Sequence, residues 1–175
     1  MALEPTPSQT VGPFFSLGLC SRPSSELVGL DAEGAVRIVG RVLDGAGEPV
    51  NDAMVEIWQA DAEGRYGGEL GWGRCGTGQD GGFSFVTVKP GGVSAPNGLA
   101  QAPHLTVLVF SRGLLKPVLT RMYFPDEEEA NAGDPVLSAI PDPVDRATLV
   151  AVREDGVLRF DVRLQGERQT TFFAV

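Results

Sequence analysis

Short runs of β-branched and aromatic residues, broken at close intervals by Gly, Pro and Asp, set the rhythm of this chain. Eight such runs predict strands, at 36–43, 53–59, 83–88, 105–111, 118–124, 148–152, 158–165 and 170–174. Within 83–88, Phe83, Phe85 and Thr87 alternate with Ser84, Val86 and Val88, which suits a sheet packed on one face and partly covered on the other. The turn signals Asp44-Gly45, Asp61 to Gly64, Asp80-Gly81-Gly82 and Asp155-Gly156 fall between runs, so neighbouring strands close locally. Long helical periodicity is missing. The segment 126–132 predicts one short helix, whose acidic first turn complements the positive end of the helix dipole. The pattern therefore predicts a mainly β fold: an antiparallel β-sandwich with long loops, an extended N-terminal arm and one short helix. Residues 1–34 and 67–78 carry no strong pattern and predict an arm with its connecting segment and a long loop, leaving 35–175 as a single sandwich domain. Unpatterned segments of this length in a compact domain tend to serve function or to lie against a partner.

Composition narrows the function classes. A chain of 175 residues with 42% hydrophobic and 21% charged residues has the material for one sizeable core. No apolar run approaches the ~20 residues of a membrane span. The first residues lack a basic stretch followed by an apolar one, so no targeting signal is expected and a cytoplasmic location follows by default. A formal charge of -9 argues against nucleic acid as a partner, because phosphate binding needs clustered Lys and Arg. Cys20 and Cys75 are expected as free thiols. The acidic run Asp126 to Glu129 lacks calcium-loop spacing and predicts a solvated helix start.

The chain has one histidine, His104, and this closes off several chemistries. No set of three or four His, Cys and carboxylate ligands is spaced for zinc around it. No Gly-x-Ser-x-Gly elbow accompanies it for a nucleophilic triad, and the Gly-rich stretches lack the Lys-Ser/Thr of a phosphate loop. Glu56 and Asp61 are candidates for a carboxylate pair, against the commoner reading of Asp61 as an exposed turn acid. By its own residues the chain reads as a non-enzyme.

Further residues carry a resemblance. Thr6-Pro7-Ser8-Gln9-Thr10-Val11-Gly12-Pro13-Phe14 resembles the N-terminal arm of the intradiol ring-cleaving dioxygenases. Gly40-Arg41-Val42, Val55-Glu56-Ile57-Trp58-Gln59-Ala60-Asp61 and Gly64-Arg65-Tyr66 resemble the first hairpin and loop of their sandwich. Thr87-Val88-Lys89-Pro90-Gly91, Ala102-Pro103-His104-Leu105, Arg121-Met122-Tyr123-Phe124 and Arg163-Leu164-Gln165-Gly166 resemble later landmarks, in the right order. The resemblance implies a ferric enzyme whose catalytic members hold Fe(III) with two tyrosinates and two histidines, hard anionic ligands that leave room for a bound catecholate.

This chain departs from that ligand set. His104-Leu105-Thr106 stands where the family has His-x-His, and Val93 stands where a tyrosine follows Lys-Pro-Gly. A Gly-rich run follows Tyr66 in place of the loop that carries the other tyrosine. Tyr123 matches a buried strand tyrosine and not a ligand. Val93, His104 and Thr106 are thus vestigial positions, and no metal ligand or catalytic residue is expected in this chain. His104 is expected as a hydrogen-bonded relic. The departures resemble the non-iron subunit of two-subunit members, in which a homologous β subunit binds the Fe(III). That implies intradiol cleavage of 3,4-dihydroxybenzoate with O2 to 3-carboxy-cis,cis-muconate by the assembled pair. Thr10, Gly12, Pro13 and Arg112 would line the partner's substrate pocket, instead of being an untidy terminus and a surface arginine. Tyr66 either lines the cleft between subunits or caps its loop. Two other readings stay open: a non-catalytic transthyretin-like β-sandwich binding module, and an intradiol enzyme with another metal set.

Overall fold

Apolar residues at every second position bury one face of each long strand, and two such faces meet here. The computed structural model describes residues 6–10, 12, 15–20, 24–68, 71–94 and 98–174. In the first sheet, β1 (Ala35–Leu43) pairs antiparallel with β4 (Gly82–Val88) along one edge. Its other edge runs parallel first to β10 (Val157–Arg159) and then to β11 (Val162–Arg163), while β9 (Val152–Glu154) pairs antiparallel with β10. The second sheet is antiparallel throughout, in the order β3 (Trp72–Gly76), β2 (Met54–Trp58), β7 (His104–Phe110), β8 (Val118–Tyr123). A ribbon of β5 (Val93–Ser94) and β6 (Ala100–Gln101) stands apart.

Between the sheets lie Ile38, Val42, Phe83, Phe85, Leu158 and Phe160 from one side and Val55, Ile57, Leu105, Val107, Val109 and Met122 from the other. Burial of each such large side chain stabilises the fold by about 1.5–3 kcal/mol. Strand alternation leaves Met54, Glu56 and Trp58 of β2, and His104, Thr106, Leu108 and Phe110 of β7, on the opposite face of the second sheet.

Three predicted elements differ. The run 158–165 is interrupted at Phe160-Asp161, because the Asp161 carboxylate accepts the Arg41 backbone N–H at 3.0 Å in place of a ladder carbonyl. There the chain passes so close to β1 that a Cβ on Gly40 would lie 1.9 Å from the Phe160 carbonyl oxygen. The run 148–152 is mostly the exit of a helix, α4 (Pro143–Ala147), started by Asp142, which accepts from the Val144 N–H at 2.7 Å. The run 170–174 makes the single bridge Leu119↔Phe173 and is further tied by Thr170 N donating to the Arg163 carbonyl at 3.0 Å and by hydroxyls, with Thr120 Oγ1 donating to the Thr171 carbonyl at 2.8 Å.

The expected loop 67–78 contains β3. Its glycines hide its strand character, and Gly73 leaves room for the crossing arm, since a Cβ there would meet Ser24 O at 2.9 Å and Leu27 Cδ1 at 2.7 Å. The predicted helix is present as α2 (Glu128–Gly133), joined by α1 (Phe15–Leu19), α3 (Pro135–Ser138) and α4. No helix among the described residues is long and apolar enough to cross a membrane. Cys20 and Cys75 are free thiols.

Candidate functional site

Register fixes what stands at each end of the outer face of the second sheet. At one end the pairing His104↔Tyr123 sets the two rings 5.6 Å apart, centroid to centroid. His104 is buried and its Nδ1–H donates to the Ala102 carbonyl at 2.8 Å, since a carbonyl can only accept. Burial pushes its pKa below the ordinary histidine value, and the nearby Arg121 charge adds to the effect.

Tyr123 is fully buried. Its hydroxyl donates to Asp134 Oδ1 at 3.2 Å and accepts from Arg121 Nη1 at 3.2 Å, and burial pushes its pKa up to about 12. Arg121 Nη1 also donates to Gln101 Oε1 at 2.9 Å, and Arg121 stands opposite Thr106 in the ladder. Gln101 in turn pairs with Val93 across the β5–β6 ribbon. Asp134, fully buried, accepts from the backbone N–H groups of Ala102, Val136 and Leu137 at 2.9, 2.8 and 2.9 Å.

Val93, His104 and Thr106 thus gather around one closed network, and that network does not suit ferric iron. Val93 is apolar, Thr106 offers a hydroxyl, and Tyr123 is held as a phenol between an arginine and a carboxylate. A guanidinium where a tri-positive ion would need anions is a mismatch of charge. Among the described residues no three His, Cys, Asp or Glu side chains stand together in a way that could hold a metal ion.

Tyr66 belongs to this end. The turn Asp61 to Gly64 is closed by the Asp61 carboxylate, which accepts from the Glu63 and Arg65 N–H groups at 3.0 and 2.8 Å. Glycine is required where this turn meets the Gly91-Gly92 backbone, because a Cβ on Gly64 (φ +79°) would lie 2.0 Å from the Gly92 carbonyl oxygen. Tyr66 follows this turn and is 59% exposed. A cavity of about 660 Å³ where the turn meets the Gly91-Gly92 backbone is lined by Ala62, Lys89, Gly91, Gln101, Ala102 and Glu127, among others. Lys89 Nζ there donates to Asp126 and Glu127 at 2.8 and 2.6 Å, so the acidic run serves a structural ion pair.

The other end of the face holds Arg112, exposed and ion-paired through Nε to Asp52. From His104 to Arg112 runs the whole of β7, roughly 25 Å at about 3.3 Å per strand residue, so the two cannot share a site within one chain. The arm arrives at the Arg112 end: Cys20 Cβ and Sγ lie 3.3 Å from where a Cβ on Gly76 would stand, and Gly76 pairs with Met54, which pairs with Phe110. In the arm Thr10 is exposed and Gly12 is half-buried with φ +75°, a left-handed conformation that glycine adopts without strain. Pro13 lies outside the described residues.

Glu56 does not pair with Asp61. It is buried and bonded to Arg74 across β2 and β3, and the Arg74 guanidinium lies 4.8 Å over the Trp72 ring. Trp58, its ring centroid 6.2 Å from that of Trp72, is 48% exposed at the His104 end of this face, opposite Thr106.

Sequence reasoning did not single out Gln101, Asp134 or Asp52, and named Arg121 only within a landmark. Asp134 had a readable signal, the Asp-Pro step that starts a helix. The others depend on register.

The dioxygenase family model matches residues 21–166. The chain is 44% identical to the alpha chain of protocatechuate 3,4-dioxygenase from Burkholderia cepacia, over 99% of this chain and 98% of that one. It is 40% identical to the alpha chain of the Pseudomonas putida enzyme, over 98% and 96%. The beta chain of the Burkholderia cepacia enzyme is 36% identical over 71% of this chain and 55% of its own. Among solved structures, the dioxygenase domain of a dioxygenase carbohydrate-binding fusion from Streptomyces sp. SirexAA-E superposes with a TM-score of 0.60 at 27% identity, covering 93% of this chain and 99% of that one.

Proposed function

Since the chain belongs to the dioxygenase family, in its intradiol branch, we propose that it is the non-iron subunit of a protocatechuate 3,4-dioxygenase. In this reading a homologous beta subunit binds the Fe(III), and the pair opens the ring of 3,4-dihydroxybenzoate with O2 to 3-carboxy-cis,cis-muconate, in the aromatic catabolism of the cytoplasm. Fe(III) held by the partner supplies the activation of the catecholate. This chain supplies walls and charge: Thr10, Gly12 and Pro13 of the arm, and Arg112, would border the partner's pocket, and Tyr66 would line the cleft between subunits. The observation that carries the reading is the division of the outer sheet face. Its His104 end is filled by an arginine-centred network unsuited to iron, while its Arg112 end presents an exposed cation beside the arm.

Arginine suits a carboxylate substrate, because its guanidinium stays protonated and offers a planar fork of donors. Negative charge gathered in a partly dry pocket is costly without such a partner. Co-expression with the iron-bearing homologue should yield a complex containing equal amounts of the two chains. In that complex Arg112→Ala should raise KM for 3,4-dihydroxybenzoate by an amount worth about 1–3 kcal/mol, with iron content unchanged and catechol much less affected. A stable monomer that ignores the homologue, or equal losses for both substrates, would refute the proposal.

A further inference from the structure

Arg112 is not free to sample its rotamers. The ladder pairs Met54 with Phe110, and continuing the same register two residues outward sets Asp52 opposite Arg112. Both residues lie in the turns just past that last ladder pair, and the Arg112 Nε–H donates to Asp52 Oδ2 across it. From this geometry we infer that Asp52 is a positioning residue: it fixes the guanidinium by its Nε edge and so leaves the Nη edge turned toward an incoming carboxylate. The inference rests on the role of Arg112 proposed above and adds to it the group that aims it.

Three features fit Asp52 for this task. Its side chain is 29% exposed against 68% for Arg112, so the acceptor is the sheltered member and the arginine the presented one. The backbone around it is held firmly. Thr77 Oγ1 accepts from the Ala53 N–H at 2.9 Å and donates to the Val50 carbonyl at 2.8 Å, while Asn51 Nδ2 donates to Gln79 Oε1 at 3.3 Å. Arg112 by contrast sits in a turn beyond the end of β7, closed by Leu114 N donating to Ser111 O at 3.2 Å and followed by Gly113 at φ +84°. A long, exposed side chain on such a turn would lose much conformational freedom on meeting its ligand. A rigid acceptor on the neighbouring strand removes part of that loss beforehand. The cost is charge, because Asp52 offsets part of the arginine's attraction for an anion; in an exposed pair this screening is small, so orientation outweighs it.

The test is steady-state kinetics of the assembled two-chain enzyme with 3,4-dihydroxybenzoate and with catechol. Asp52→Ala should raise KM for the acid roughly three- to tenfold, the span expected for one lost hydrogen bond, with kcat changed less than about twofold. KM for catechol should not move. Asp52→Asn keeps an oxygen that can accept from Nε and should restore most of the affinity. Asp52→Ala combined with Arg112→Ala should be no worse than Arg112→Ala alone. An Asp52→Ala penalty that survives the loss of Arg112, an equal rise for catechol, or an Asn variant as impaired as the Ala one would overturn the inference and leave the role of Arg112 standing. An Arg112→Ala enzyme with unchanged KM for the acid would overturn both.

Discussion

Replacing Asp134 with alanine should destabilise this protein more than most single substitutions would. The carboxylate accepts four hydrogen bonds, from Tyr123 Oη at 3.2 Å, Val136 N at 2.8 Å, Leu137 N at 2.9 Å and Ala102 N at 2.9 Å. Alanine removes the N-cap of α3, worth about 1 kcal/mol. It also strands two buried donors outside the cap, the Ala102 N–H and the Tyr123 hydroxyl, at about 1–3 kcal/mol each. The expected total is about 3–7 kcal/mol. For a chain of this size each kcal/mol lowers Tm by about 2–4 °C, so a fall of at least about 6 °C is expected. Asp134→Asn should lie between the two, because its oxygen still accepts for α3 while its amide meets the Ala102 N–H donor to donor. The assay is thermal unfolding of wild type and variants in the same oligomeric state and at equal concentration, since association shifts Tm by mass action. A loss below about 1 kcal/mol for the alanine variant would show that water or a neighbour readily takes over the four donors, and the closed network would lose its claim to hold this end together.

Two further outcomes are expected. The purified chain should contain no stoichiometric iron and show no tyrosinate-to-iron absorption in the visible range; metal analysis and a spectrum decide it, and a red-brown, iron-loaded chain would contradict the filled-site reading. His104, whose pKa is lowered from 6.5 first by burial and then by Arg121, should take up its proton at lower pH in the folded chain than in the unfolded one. The stability it contributes is therefore full above about pH 6.5 and lost as pH falls toward the folded value. The imidazole signals of this lone histidine report the titration by NMR, and a midpoint at or above 6.5 would reverse the sign.

The long strands were legible because their apolar alternation is strong, as in 36–43 and 105–111, where tertiary packing and local propensity agree. The helices α3 and α4 were missed although Asp134-Pro135 and Asp142-Pro143 announce them, because hydrophobic periodicity cannot be read in four or five residues. Strand β3 was missed for another reason: its glycines are there for the close passage of Ser24 and Leu27, a contact that no local pattern records. Of the site, Val93, His104 and Thr106 could be read from spacing against a family motif. Arg121 facing Thr106, Gln101 beneath Arg121 and Asp52 opposite Arg112 follow from which residue stands across the ladder, and register is not written within any single strand.

The length of β7 has a consequence for how such a chain tolerates change. Perturbations separated by more than about 7–10 Å usually add without coupling, and roughly a strand's length divides the His104 network from the Arg112 turn. Substitutions that erase ligands at one terminus of the strand therefore carry little penalty to the other. On the function proposed above, a duplicated subunit built on this sheet can let its own metal pocket decay while the opposite terminus stays under constraint, so that two copies of one scaffold come to divide the labour of a single active site.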